Sequence, residues 1–108
     1  MAKSVSDFVR VASINDIPEG KMKKVVAGSQ QVLVVNVKGK YYAIGNVCTH
    51  LGGPLDKGIL EGHEVECPLH RSHFDVTTGQ VKRGPATRPE LVYDVKIESG
   101  AILVRPKQ

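Results

Sequence analysis

Tryptophan is absent from the sequence, and phenylalanine and tyrosine together supply only 5% of its 108 residues. A surface that stacks nucleotide bases needs aromatic platforms interleaved with clustered cations. Here the net charge is +4, but the only basic run is "KMKK" at 21–24, so the excess reads as solvated charge and no nucleic-acid partner is expected. Long apolar runs are also missing: the longest, Val32 to Val35, falls far short of the roughly 20 residues needed to cross a bilayer. The opening "MAKSVSDFVR" has no apolar signal-peptide core. The expectation is therefore one cytoplasmic domain with no membrane segment. Cysteine is scarce as well, with two residues in all. In a chain without an export signal, two cysteines point to metal or redox chemistry more than to a disulfide framework.

What is abundant is strand-forming sequence. "QVLVVNVKGKYYAIGNV" breaks at Lys38-Gly39 and "ELVYDVKIESGAILVRP" at Ser99-Gly100, each a pair of β-rich runs around a two-residue turn. Tyr93, Val95 and Ile97 alternate with Val92, Asp94 and Lys96, the period of a strand. "FVRVAS", "MKKVVAG" at 22–28, "HEVEC" at 63–67 and "FDV" at 74–76 are shorter strand candidates. A helical turn is expected only around Ser13 to Ile17, where Ser13 caps and Pro18 and Gly20 terminate. The pattern predicts an all-β fold built of antiparallel strands, a sandwich or barrel.

Between the two hairpins lies a segment rich in Gly, Pro and His. It carries Cys48 and His50 as C-x-H, then sixteen intervening residues, then Cys67 and His70 as C-x2-H. "DKGILEGHEVE" can fold back as a hairpin and bring the two boxes together. Thiolate is a soft ligand that selects zinc, copper(I) or iron–sulfur clusters, whereas imidazole suits zinc, copper and iron. A structural zinc site remains a rival, although such sites usually separate their cysteine and histidine knuckles. A two-iron cluster with two thiolates on one iron and two imidazoles on the other gives a reason for mixed boxes.

With these boxes, the early "ASINDIPEG", the approach "GKYYAIGNVCTHLGGPL", the second box "CPLHRSHFDVTTGQ" and the later "GPA", the chain resembles the Rieske [2Fe-2S] family, in particular its soluble ferredoxins. The resemblance implies three small antiparallel sheets in a single domain of residues 1–108. Residues 1–44 and 87–108 would be the base, and about 45–86 a cluster-binding subdomain at one tip. It implies one [2Fe-2S] cluster, with Cys48 and Cys67 on the inner iron and His50 and His70 on the outer. Gly52 and Gly53 would let the backbone turn close to the cluster and offer N–H groups to its sulfurs, and Gly84-Pro85-Ala86 would cover it.

Departures from the family pattern carry information. High-potential relatives carry a loop-stapling cysteine in each box, where this chain has Gly53 and Leu69. Ser72 stands where a relative's serine donates to a cluster sulfur, but Phe74 replaces the tyrosine that donates a second time. Within the Rieske span of about −150 to +300 mV, the expectation is the lower half. Arg71 occupies a place usually held by glycine. His63 and His73 are expected to be surface or supporting residues, and Lys57, Arg71, Lys82 and Arg83 a basic rim. Nothing in the chain suggests a nucleotide loop or a catalytic triad. The resemblance implies a non-catalytic one-electron carrier that docks transiently between a reductase and an oxygenase or similar acceptor. The alternative is a small subunit of a larger reductase of the nitrite-reductase type.

Overall fold

The computed structural model describes residues 8–49, 52–69 and 71–106. Ten strands follow in chain order: β1 (Val9–Ser13), β2 (Met22–Ala27), β3 (Gln30–Val37), β4 (Lys40–Gly45), β5 (Ile59–Glu61), β6 (Glu64–Glu66), β7 (His73–Asp75), β8 (Val81–Arg83), β9 (Val92–Glu98) and β10 (Ala101–Pro106). Two single 3-10 turns, Ile14–Asp16 and Leu55–Lys57, interrupt them. Every strand pair is antiparallel.

Both anticipated hairpins form where two-residue turns demand positive φ. Lys38 and Gly39 sit at φ 54° and 89°, and Ser99 and Gly100 at 51° and 78°. This is the left-handed pair whose twist matches the flanking strands. The helical turn also forms: Ser13 Oγ accepts the Asn15 N–H at 3.2 Å, and Asp16 Oδ2 accepts the Ser13 N–H at 2.9 Å, a capping box.

Three sheets were expected, and hydrogen bonding among the described residues gives two. The order β1-β10-β9-β4-β3-β2 is one sheet and β5-β6-β7-β8 another. The base strands join because Ala43 pairs with Tyr93 and Ile44 with Val92, a two-residue bridge between β4 and β9. Edges β1 and β2 also touch, so the large sheet curls towards closure. β8 and the Leu55–Lys57 turn were not anticipated, and β7 begins one residue earlier than "FDV".

Strand β3 organises the interior because both of its faces are covered. Val32 and Val34 join Ala12, Ile17, Val25, Ala43, Tyr93, Ile102 and Val104 inside the curled sheet. Leu33 and Val35 point the other way, into a second core with Ile44, Leu55, Val65, Phe74 and Val76. Alternation along a strand makes this division automatic. The second core lies between the two sheets, and Cys48 and Cys67 belong to it. None of the helices among the described residues is long and apolar enough to cross a membrane.

Candidate metal centre

Two loops leave the sheets to make the site, one after β4 and one between β6 and β7, and they share a backbone pattern. In the first, the Cys48 N–H donates to the Gly53 carbonyl and the Gly52 N–H donates to the Cys48 carbonyl, both at 2.8 Å. In the second, the Cys67 N–H donates to the Ser72 carbonyl at 2.8 Å and the Arg71 N–H to the Cys67 carbonyl at 3.0 Å. Each loop is thus closed by residues four and five positions after its cysteine. Each also needs a left-handed residue at the fourth, Gly52 at φ 76° and Arg71 at φ 62°. The position where glycine gives way to Arg71 is therefore a genuine left-handed position filled by a side chain that adopts it at a cost. Gly52, expected to offer its N–H to a cluster sulfur, instead spends it inside its own loop.

Gly53 ties the loops together. Its carbonyl closes the first, while a Cβ at this residue would lie 2.7 Å from Cys67 Sγ and 3.0 Å from Leu69 Cγ. Positions 53 and 69, which lack the relatives' staple, therefore face one another. Leu69 is largely exposed at 53%, while Gly53 is buried.

Neighbouring residues anchor both loops. Asn46 is fully buried, with both ends of its amide engaged: its Nδ2 donates to Asp56 Oδ1 at 2.8 Å and its Oδ1 accepts the Asp56 N–H at 2.9 Å. Its own N–H donates to the Gln31 carbonyl and its carbonyl accepts from Leu55. Ser72 is also fully buried, and its Oγ accepts the Ala86 N–H at 2.9 Å, which fastens the Gly84-Pro85-Ala86 loop to the second box. A hydroxyl that accepts one bond still has its proton to donate. Phe74 has no exposed surface and shares a core with both cysteines.

The other candidates separate. His63 is exposed, with Nδ1 3.3 Å from Asp75 Oδ1. His73 is held between carboxylates, Nδ1 3.1 Å from Glu64 Oε1 and Nε2 3.3 Å from Glu66 Oε1. Lys57, Arg71, Lys82 and Arg83 are all exposed. The two ligand candidates His50 and His70 lie outside the described residues, and among those described no three His, Cys, Asp or Glu side chains converge as a metal site.

Two anchors were not legible in the sequence. Asn46 had no signal beyond its place before the first box. Glu90 is 6% exposed whereas its neighbour Leu91 is 68% exposed, the reverse of what hydropathy suggests. Burial raises the Glu90 carboxyl to about 8, opposed only by the Thr49 backbone N–H, which favours the ionised form.

An all-β domain whose two matching loops bring a pair of buried thiols into one core presents soft ligands of the kind a metal–thiolate protein uses. The class narrows further, because residues 7–101 match the Rieske [2Fe-2S] domain, and the chain belongs to that family. It is 37% identical over 99 residues to the ferredoxin component of the naphthalene 1,2-dioxygenase/salicylate 5-hydroxylase systems of a Ralstonia species, covering 92% of this chain and 95% of that one. Among solved structures, the ferredoxin of carbazole 1,9a-dioxygenase from Nocardioides aromaticivorans superposes with a TM-score of 0.88 at 37% identity, over 93% of this chain and 98% of that one. A complex of reduced oxygenase and oxidised ferredoxin in carbazole 1,9a-dioxygenase matches with a TM-score of 0.87 at 31% identity, over 94% and 96% of the two chains. The cofactor is a Rieske-type [2Fe-2S] cluster, and the described residues fit one. The cysteines are the soft ligands it needs, both are buried, and Gly53 keeps the space beside Cys67 Sγ clear of side chain.

Proposed function

We propose that this chain is a one-electron carrier, a Rieske-type ferredoxin, in which Cys48 and Cys67 hold one iron and His50 and His70 the other. When bound, the cluster supplies a centre that takes up and gives back a single electron. The observation that carries the assignment is the shared loop pattern, which brings Cys48 and Cys67 into one buried core from two different sheets. Residues 45–86 act as the cluster-binding subdomain on a base of 1–44 and 87–108. Leu69 at 53% exposure and Arg71, also exposed, place an apolar and a cationic side chain at the tip of the second loop. Docking there is expected to be brief, as at the small interfaces of redox partners.

The similar proteins are ferredoxin components of dioxygenase systems. By that likeness the donor is a reductase, the acceptor is an oxygenase or a similar terminal enzyme, and the compartment is the cytoplasm. The carrier itself converts no substrate.

The test is an EPR spectrum of anaerobically purified, dithionite-reduced protein, with iron and zinc counted on the same sample. A rhombic S = 1/2 signal with an average g below the free-electron value and two irons per chain is expected. Serine at either cysteine or alanine at either ligand histidine should abolish it. Zinc without a signal, after expression with ample iron, would sink the proposal.

A further inference from the structure

A pocket of about 470 Å³ opens beside the first box, lined among others by Gln31, Cys48, Thr49, Arg88, Glu90 and Tyr93. Its least expected component is the Glu90 carboxyl, which is buried and whose Oε2 meets no hydrogen-bond partner among the described residues. A buried acceptor left in this state is costly, so the side chain needs a reason to be there.

The backbone of the 88–91 strap does not supply one. It is already docked, because the Glu90 N–H donates to the Gly79 carbonyl at 2.8 Å and the Leu91 carbonyl accepts the Gly45 N–H at 2.9 Å. The side chain reaches further. It lies over Gly45, where a Cβ would come within 2.6 Å of Oε1, and the Thr49 amide N–H is directed at its carboxyl. One residue pair earlier in the strap, the Arg88 carbonyl accepts the Thr49 hydroxyl at 2.6 Å. Thr49 is the single residue between Cys48 and His50 in the sequence.

We infer that Glu90 is a positioning residue for the first box, its carboxyl gripping the Thr49 amide while the Arg88 carbonyl grips the Thr49 hydroxyl. The inference rests on the reading of Cys48 and His50 as ligands. The grip acts on the loop backbone and touches no reacting atom. The carboxyl is buried, and its raised proton affinity fits a neutral acid whose carbonyl oxygen accepts from the amide.

The experiment compares Glu90→Leu, Glu90→Gln and Thr49→Val in the full chain, loaded with iron and sulfide. Reduced-state g-values, the rate of bleaching by an iron chelator and the thermal midpoint are read for each. Losing one such hydrogen bond should speed cluster loss about tenfold in Glu90→Leu and shift its g-values. Glu90→Gln, which keeps an acceptor oxygen, should restore both. Thr49→Val should move them in the same direction as Leu. If Glu90→Leu lowers only the thermal midpoint and keeps the parent g-values and bleaching rate, or if Gln fails to restore them, the positioning role is wrong. A parent protein without a rhombic signal would overturn the ligand assignment and this inference with it, a result that cannot be mistaken for a normal parent with unchanged variants.

Discussion

Gly53 lies so close to Cys67 that a single methyl group added to it would sit 2.7 Å from the cysteine sulfur. The contact crosses from one box to the other, because the Gly53 carbonyl also accepts the Cys48 N–H. Alanine at 53 should therefore force the boxes apart, with an overpacking cost of about 1–3 kcal/mol. The expected result is a lower thermal midpoint together with fewer than two irons per chain. Normal iron content in Gly53→Ala would show that the loops absorb the methyl and that their spacing is not critical.

Arg71 carries the opposite lesson, a residue with too much side chain for its backbone. At φ 62° it occupies a region that costs a non-glycine residue about 1–2 kcal/mol. Its guanidinium is largely exposed and its Nε lies 3.9 Å from Glu66 Oε2, an ion pair of little consequence at that exposure. Glycine relieves the strain and loses part of the gain to unfolded-chain entropy. Arg71→Gly is expected to stabilise the protein by up to about 1 kcal/mol in urea denaturation. A clear destabilisation would mean that the side chain contributes more than its exposure suggests.

Ser72 and Phe74 bear on the reduction potential. Both are fully buried, and Phe74 shares a core with Cys48 and Cys67. Hydrogen bonds to cluster sulfur raise the potential by stabilising the reduced charge. Voltammetry should place the parent in the lower half of the Rieske span, Phe74→Tyr above it and Ser72→Ala below. Ser72→Ala should also lower the thermal midpoint, since the Ala86 N–H loses its acceptor. A Phe74→Tyr potential equal to the parent's would show that a hydroxyl at 74 does not reach the sulfurs.

Glu90 predicts a pH dependence of folding. Burial raises its carboxyl from 4.5 to about 8. Between those values the folded protein holds a proton that the unfolded chain has released. Its contribution is fully present below pH 4.5 and declines as pH rises towards 8, by at most about 1.4 kcal/mol per pH unit. Glu90→Gln carries no titrating proton. The stability difference between variant and parent should therefore widen in favour of Gln from pH 5 to 8. A constant difference across that range would show that the carboxyl titrates normally in the fold.

Much of this protein is legible along the chain alone. Hairpin turns at Lys38-Gly39 and Ser99-Gly100, the cap at Ser13 and the long strands follow from local chemistry, because a two-residue turn and an alternating pattern need only near neighbours. The box motifs named a cofactor for the same reason, since ligand type and spacing are written along the chain. What the sequence by itself determined was thus the long strands and their turns, the two Cys/His boxes and the family.

Only the tertiary structure decided how those parts meet. Nothing local says that β4 and β9 join the base strands into one six-stranded sheet through Ala43 and Ile44. Nor does hydropathy bury Glu90 and expose Leu91. Those outcomes depend on contacts between segments far apart in the chain. Gly79 and Gly45 receive the strap, and Thr49 waits beneath it. The closeness of Gly53 to Cys67 is of the same kind, a distance set when two separate loops are packed against one core, which no pattern along a single chain can state.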